Sequence, residues 1–192
     1  STSFTANVPS NIVPTINSVN LSEAVSEIYA QFGAYVQGKS KISGSISASG
    51  SYSSTIKSYS ISINGASYTS SSFTTGFLTT SGNNTCSVTV KDSRGRTKSQ
   101  NVTFNVIEYA SPAINSFSVS RCNQDGTAND EGDYAKCVVS SSIPSVNSKN
   151  TKSFQIKYKK ISETEWNIFE LDNTNYTLNT TQIIQNIDTE SE

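Results

Sequence analysis

Thr103-Phe104-Asn105-Val106, followed after a short gap by Pro112-Ala113-Ile114-Asn115-Ser116, repeats an earlier part of the same chain. The earlier copy is Thr5-Ala6-Asn7-Val8 with Pro14-Thr15-Ile16-Asn17-Ser18, and the same number of positions separates every matched pair. Each copy has the pattern of a final strand, a short linker and the first strand of the next unit. A period of roughly a hundred residues is typical of tandem β-sandwich modules. The repeat therefore predicts two modules and one strand left over from a third.

The repeat also sets the predicted domain boundaries. Residues 1–14 are interpreted as the last strand of a preceding module, Ser3–Val8, plus a linker stiffened by two prolines. Residues 15–110 are predicted to form an immunoglobulin-like β-sandwich. Residues 111–192 are predicted to form a second sandwich, fibronectin-like or immunoglobulin-like. We expect this second module to stop before its last two strands, and so to expose strand edges and part of its core.

The composition favours strands over disorder. Hydrophobic residues make up only 34% of the 192 residues, and roughly a third of the chain is Ser or Thr, far above average usage. These polar residues alternate with Ile, Val, Tyr and Phe, which is the pattern of half-buried strands. The fold class predicted is all-β, with tandem immunoglobulin-like or fibronectin-like sandwiches.

The elements follow from local patterns. Asn20 with Glu23 resembles a helix capping box, and helical spacing from Leu21 to Phe32 predicts one short helix in the first module. Asn64-Gly65 predicts a hairpin turn. Strands are predicted at Ile16–Asn20, Tyr35–Ser49, Lys57–Ile63, Ser67–Phe77, Cys86–Val90, Lys98–Ile107, Ile114–Cys122, Tyr134–Ser142, Lys152–Ile156, Trp166–Leu171, Asn175–Leu178 and Gln182–Ile187, with a turn at Asp188–Glu192.

Several function classes are disfavoured. The chain has no His, which removes the commonest catalytic base and metal ligand. A net charge of −1 gives no field for nucleic acid, and no apolar run is long enough to cross a membrane. The acidic residues of the first module should lie far apart, whereas a glycosidase needs a close pair; they are Glu23, Glu27, Asp92 and Glu108. We predict no enzyme, no catalytic residue, no cofactor and no metal site.

Three cysteines are an odd number for a disulfide framework. Cys86 lies in a strand pattern and is interpreted as a buried free thiol. Cys122 and Cys137 flank a polar loop, so they could be bonded across adjacent strands or remain reduced. Reduced cysteines would fit assembly in bacterial cytoplasm.

Three segments match patterns of functional sites. For each of them, a purely structural role explains the same residues equally well or better. Gly33–Ser40 fits the phosphate-loop pattern, but a helical pattern precedes it and a β pattern follows, which favours a turn entering a strand. Asn123–Asp133 is rich in oxygen ligands for calcium, or simply in turn formers. Asp92–Arg96 fits a recognition tip with paired arginines, but a hairpin turn capped by Asp92 explains the same residues better.

Aromatic and basic residues offer two further surfaces. Exposed tyrosines could stack on sugar rings, although most aromatic residues at alternate strand positions belong to the core; the candidates are Tyr29, Tyr35, Tyr52, Tyr59 and Tyr68. Lys157, Lys159 and Lys160 are interpreted as a solvated face that blocks aggregation rather than as a nucleic-acid strip.

Phe32–Lys41, Asp92–Thr97, and Arg121–Gly126 with Glu131–Tyr134 are the most distinctive stretches of the chain. They resemble a family of siphophage minor structural proteins of unknown function, and the resemblance covers nearly the whole chain. Trp166–Glu192 also resembles fibronectin type III. The family carries no catalytic residues that could be assigned here.

The resemblance implies non-catalytic structural or adhesion modules of a phage tail or virion surface, assembled in the bacterial cytoplasm and extracellular after release. The expected partners are other virion or tail proteins, neighbouring modules and host cell-wall glycans. Weak contacts with the glycans would become strong when many copies act together. Two alternatives stay open: a bacterial surface stalk or adhesin, and a carbohydrate-binding appendage of a cell-wall hydrolase.

Overall fold

The computed structural model of the chain describes residues 3, 5, 7, 9–160 and 162–185. Strands account for 51% of the structure and helix for 4%, which confirms the all-β prediction. The chain divides between Tyr109 and Ala110 into unit 1 and unit 2. Assignment of either unit to the immunoglobulin or fibronectin class stays a prediction, as do the predicted domain limits.

Unit 1 consists of two sheets and one short helix among its described residues. Its elements are Thr15–Glu23 (β1), Ser26–Phe32 (α1), Tyr35–Val36 (β2), Ile42–Ser49 (β3), Ile56–Ile63 (β4), Ala66–Tyr68 (β5), Ser72–Thr74 (β6), Gly82–Asp92 (β7) and Thr97–Ile107 (β8). One sheet has the order β1-β3-β6 and the other β2-β8-β7-β4-β5. All pairs are antiparallel except β2 with β8.

The core of unit 1 takes its side chains from both sheets, because alternate residues of each strand point to one face. In β7, for example, Cys86, Val88 and Val90 are buried and the residues between them are not. The complete buried cluster is Ile42, Ile46, Ile61, Ile63, Phe73, Leu78, Cys86, Val88, Val90 and Val106.

Two glycine-dependent contacts shape unit 1. Asn64 and Gly65 both have positive φ, 52° and 71°, so they form the predicted two-residue turn between β4 and β5. Gly44 lies under the ring of Phe73, where a Cβ on residue 44 would stand 2.2 Å from Cζ of Phe73. That ring also stacks on Tyr68 at 4.8 Å between centroids.

The predicted helix start was wrong. The strand β1 continues to Glu23, paired with β3 throughout, and the helix begins only at Ser26. Glu23 lies before the helix and not in its first turn, and its Oε1 accepts the N–H groups of Val25 and Lys41 at 3.0 Å. Cross-strand pairing has therefore overridden the local helical pattern of residues 20–25.

Two predicted strands of unit 1 are each divided between the sheets. Tyr35–Ser49 contains β2 in one sheet and β3 in the other, with a turn between them. Ser67–Phe77 likewise contains β5 and β6 in different sheets. Alternation along the chain specifies which residues face inward, but it does not specify a change of sheet.

Unit 2 also has two sheets in its described part. Its strands are Ala113–Cys122 (β9), Tyr134–Ser142 (β10), Gln155–Tyr158 (β11), Asn167–Glu170 (β12) and Thr177–Gln185 (β13). The orders are β9-β10-β13 and β11-β12, with all pairs antiparallel. The buried cluster is Ala135, Cys137, Val139, Phe154, Ile156, Leu171, Leu178 and Ile184.

One division predicted in unit 2 was wrong. The two strands predicted at Asn175–Leu178 and Gln182–Ile187 form the single strand β13, which pairs with β10 without a break from Thr177 to Gln185. The polar residues Asn179 to Thr181 alternate in the strand instead of forming a turn. The predicted turn at Asp188–Glu192, and the predicted strand at Ser3–Val8 except for residues 3, 5 and 7, lie outside the described residues.

Candidate functional site

Two adjacent turns of unit 1 are held together by side-chain hydrogen bonds. The Tyr52 turn, residues 50–54, connects β3 to β4, and the Arg94 hairpin, residues 92–96, connects β7 to β8. They lie at the end of the unit where β1 begins, because Ser51 Oγ donates to Val13 O at 2.7 Å.

The backbone of the Tyr52 turn is left-handed at two consecutive non-glycine residues. Tyr52 has φ 48° and Ser53 has φ 61°, and Ser54 N donates to Ser51 O at 3.1 Å. This is the arrangement of a type I′ turn, which normally uses Asn or Gly because side chains with a Cβ are strained there. Strain at a bulky tyrosine persists only where surrounding contacts hold it, and it often marks a functional position.

The Arg94 hairpin supplies those contacts. The guanidinium of Arg94 donates from Nη1 to Ser51 O at 3.0 Å and from Nη2 to Tyr52 O. Ser93 N donates to Thr55 O at 2.8 Å. A planar guanidinium that binds two successive carbonyl oxygens fixes the turn in one orientation.

The carboxylate of Asp92 accepts hydrogen bonds from both turns. Its side chain is only 2% exposed, and its Oδ1 accepts the N–H groups of Arg94 at 3.0 Å and Arg96 at 2.8 Å. Its Oδ2 accepts from Ser54 Oγ at 3.1 Å. Burial alone would raise the pKa of Asp92, but the hydrogen bonds from Arg96, Ser54 and Arg94 and the charge of Arg94 together lower it.

The result is an exposed aromatic ring on a rigid support. The side chain of Tyr52 is 75% exposed although its backbone is held on both sides. Gly50 is required beside it, because a Cβ there would lie 1.9 Å from Ser54 O. Such a ring can offer a flat apolar face to a ligand without losing backbone entropy on binding. The predicted recognition tip at Asp92–Arg96 thus lies against Tyr52, with Arg94 committed to holding the turn.

The structure divides the five candidate tyrosines into two groups. Tyr35, Tyr59 and Tyr68 are partly buried against the core of unit 1, so they are not free to stack on a ligand. Tyr52 and Tyr29, the latter 56% exposed on α1, remain accessible. The predicted elements agree with part of this division, because Tyr35, Tyr59 and Tyr68 lie in predicted strands, whereas Tyr29 lies in the predicted helix and Tyr52 lies between two predicted strands.

The segment Gly33–Ser40 has none of the geometry of a phosphate loop. Gly33 ends the helix α1 with φ 64°, β2 follows, and the segment then enters β3. Ser40 is fully buried, and its Oγ accepts Val36 N at 2.7 Å. Gly38 N donates to Leu78 O. A helix before the segment and a strand after it is the order that the sequence predicted.

The oxygen-rich loop Asn123–Asp133 uses its polar groups internally. Asp125 Oδ1 accepts Thr127 N at 2.9 Å, which is the first cause of the lowered pKa of Asp125. Asn129 Oδ1 accepts Glu131 N, and Lys136 Nζ donates to Gly126 O. Within the described residues, no group of three or more His, Cys, Asp or Glu side chains could hold a metal ion. Turn formation therefore accounts for the composition of this loop.

Two acidic residues of unit 1, Asp92 and Glu23, lie at opposite ends of the unit. Asp92 lies near the start of β1, whereas Glu23 ends that strand of nine residues. A strand of that length spans roughly 30 Å, far beyond the separation that paired carboxylates need. In the described part of the chain, no helix is long and apolar enough to cross a membrane.

The three cysteines are buried free thiols. Cys122 lies opposite Tyr134 and Cys137 lies opposite Val119, so the two are not directly paired across β9 and β10. Burial raises the pKa of Cys86, and burial with the neighbouring Cys122 raises that of Cys137. Thiols of this kind are protonated at neutral pH and react slowly.

Comparison with known proteins shows the family to which the chain belongs. A family described as "Siphovirus protein of unknown function (DUF859)" matches residues 1–191. Among curated proteins, none matches the chain. The match covers nearly the whole sequence and both units, so this chain belongs to that family of siphovirus proteins.

Proposed function

We propose that this chain is a non-catalytic structural segment of a siphovirus tail, in which tandem β-units act as spacers and contact the host cell surface. The phage family supports a structural role and a virion location. A viral family also favours this function over a bacterial surface stalk. Domains of this kind can supply weak contacts that become strong when many copies act together.

The observation that carries the adhesive part of the proposal is Tyr52. Its ring is 75% exposed, and Arg94 and Asp92 hold the turn beneath it. The left-handed backbone at Tyr52 costs stability, and strain of this kind often lies at functional positions. Aromatic side chains are frequent anchors of binding surfaces. We assign to this ring the stacking contact with host wall glycans, alongside contacts of the units with other virion proteins.

The experiment measures binding of the purified chain to isolated Gram-positive cell walls. We expect saturable binding that wall sugars compete away, and an approximately tenfold loss in Tyr52→Ala, equivalent to about 1.4 kcal/mol. Tyr29→Ala is the matched control, since it removes another exposed tyrosine from the same unit. Thermal unfolding of each variant verifies that unit 1 stays folded.

Two outcomes would reject the adhesive role. One is absence of saturable binding at chain concentrations on the order of 100 μM, which leaves a spacer. The other is equal loss in the Tyr52 and Tyr29 variants, which would show that binding is not located at the Tyr52 turn.

A further inference from the structure

The outer face of the β11–β12 sheet carries an exposed tryptophan beside lysines. Side chains alternate along a strand, and Ile156 and Tyr158 belong to the core of unit 2, so the residues on either side of them point outward. We name this surface the Trp166 face; its residues are Gln155, Lys157 and Lys159 from β11 and its end, and Trp166, Ile168 and Glu170 from β12 and its start.

Cross-strand pairs bring the members of the Trp166 face together. Ile168 lies opposite Lys157, and Glu170 lies opposite Gln155, whose Nε2 donates to Glu170 Oε1 at 2.6 Å. At the other end of the face, a lysine Nζ lies 5.2 Å from the centre of the Trp166 ring. The side chains of Trp166 and Ile168 are 55% and 53% exposed. The face thus has an accessible apolar centre with ammonium groups beside it and a neutral amide–carboxylate pair at one end.

The same face of unit 1 is small, polar and open to solvent. The pair Ser62 and Ser67 of β4 and β5 is the counterpart of Lys157 and Ile168, since each pair lies one position beyond the buried isoleucine of its first strand. Both serines are exposed although β4 has strands on both of its edges. A strand added beside β11 would likewise lie in the plane of the sheet and leave the Trp166 face uncovered.

A solvated surface does not account for the Trp166 face. Lysines on a short edge sheet protect against self-association, which explains Lys157 and Lys159. Trp166 and Ile168 work against that protection, because they add exposed apolar area beside the lysines. The serines at the equivalent positions of unit 1 show that the fold does not require large apolar residues there. The apolar residues of this face therefore indicate a contact with a ligand.

The charge around the tryptophan ring is positive. Lys157 and Lys159 are exposed on the face, and the exposed Lys160 follows them in the chain. In the turn before β12, the carboxylate of Glu163 is engaged by a backbone N–H and a side-chain amide, both at 3.2 Å. Glu165 is the other acidic residue of that turn. Lysines outnumber the remaining carboxylate, so this charge favours an anionic ligand.

The apolar centre of the face has the size of a sugar ring. An aromatic side chain offers at most about 250 Å², so the exposed halves of Trp166 and Ile168 together present roughly 200 Å². A stable protein interface buries roughly 800 Å² on each partner. The outer side of a two-stranded sheet is also flat, and a sugar ring can stack on it without a groove, because its C–H groups are attracted to the negative face of an indole.

We propose that the Trp166 face of unit 2 binds an anionic saccharide. A sugar ring stacks on the indole of Trp166 and contacts Ile168, and the ammonium groups of Lys157 and Lys159 bind the carboxylate or phosphate of the sugar. Lys159, whose Nζ lies over the ring in the free protein, moves aside to pair with that anionic group. This site goes beyond the contact assigned to the Tyr52 turn, which belongs to unit 1.

The test titrates defined oligosaccharides into the full chain and follows Trp166, the single tryptophan, by its emission. The probes are tetragalacturonic acid, which carries carboxylates, and pentamannose phosphate. Binding of either with a dissociation constant on the order of 100 μM supports the proposal, and the tighter of the two identifies the anionic group. The methyl ester of tetragalacturonic acid has the same rings without charge, and poly(glycerol phosphate) has charge without rings. We expect both controls to bind about tenfold more weakly.

Variants of the chain locate the site, with calorimetry as the readout where the tryptophan is removed. Trp166→Ala should lower the affinity about tenfold, whereas Trp166→Tyr, which keeps a flat ring, should retain most of it. Lys157→Gln should weaken the acidic probes and leave the methyl ester unchanged. Tyr29→Ala is the matched control, since it removes an exposed aromatic side chain from unit 1. These positions are exposed, so the substitutions should leave the fold intact, which circular dichroism verifies.

Three results would overturn the proposal. The first is absence of binding of both acidic probes at about 10 mM. The second is equal binding of either control probe, which would show that the charge or the ring is not used. The third is a chain that dimerises in sedimentation and loses the dimer in Trp166→Ala, which would make the face a contact between copies. Because the emission comes from Trp166 alone, none of these outcomes depends on cell-wall binding by Tyr52.

Discussion

Strands β1 and β9 occupy the same place in the sequence repeat, but their apolar side chains differ in burial. In β1, Ile16 packs against a core closed by the five-stranded sheet. In β9, Ile114 at the equivalent position is 74% exposed, because the facing sheet has only β11 and β12 among the described residues. A repeated sequence therefore specifies the strand and its inner face, whereas burial of that face depends on strands that are distant in sequence.

The largest effect should come from equivalent core positions in the two units. Ile61 of β4 is fully buried, and we expect Ile61→Ala to lower the free energy of unfolding of unit 1 by about 2–5 kcal/mol. Ile156→Ala in β11 should cost less, because β11 pairs only with β12 among the described residues and its surroundings can relax more easily. Urea unfolding gives both values. Trp166, the single tryptophan, reports unit 2 by fluorescence, and circular dichroism, to which both units contribute, gives the transition of unit 1 by difference. Equal losses would contradict the comparison.

A smaller effect should separate the two copies of the repeat directly. Ile16→Ser should destabilise unit 1 by roughly 1–2 kcal/mol, part of the value for full burial of an isoleucine, because its side chain is half-buried. Ile114→Ser should change the stability of unit 2 by less than about 0.5 kcal/mol, as other exposed substitutions do. The same urea experiment measures both variants. A large loss in Ile114→Ser would show that β9 is covered in solution.

The smallest effect concerns Asp92 and is visible as pH dependence. The pKa of Asp92 is lowered in the folded state, so its ionised form stabilises unit 1 above the unfolded pKa of about 4. This contribution is lost as the pH falls through the lower, folded pKa. We therefore expect Asp92→Asn to lower the melting temperature of unit 1 at pH 7, by an amount that shrinks on acidification.

Asp125→Asn is the matched control for Asp92. The pKa of Asp125 is also lowered, but this residue lies in unit 2. Its substitution should leave the transition of unit 1 unchanged at every pH. A constant difference between Asp92→Asn and the unsubstituted chain from pH 7 to strongly acidic pH would show that the carboxylate charge is unimportant.

Much of the fold could be predicted from local patterns. The predicted strand at Tyr134–Ser142 has the bounds of β10, and the Asn64-Gly65 turn lies where its φ preference placed it. Both depend on neighbours in sequence, so the sequence contains the whole signal. The start of α1 was misjudged because pairing of β1 with β3, a contact between distant residues, decided it.

The candidate sites were less predictable. The pattern of Asp92–Arg96 indicated a hairpin turn, and the structure has one between β7 and β8. That its arginine would bind the carbonyl groups of Ser51 and Tyr52, more than forty positions away, had no local signal. Tyr59 lies in a predicted strand and Tyr52 lies between two of them, but the extent to which each ring is covered depended on the packing of distant strands.

The sequence by itself determined that this protein is all-β, where most of its strands lie and which of their faces is apolar, since side-chain alternation and turn preferences are local properties of the chain. Only the tertiary structure decided which apolar residues are covered and which tyrosine is held outward. Burial and strand pairing join residues that are far apart in sequence, and no local pattern encodes the partner.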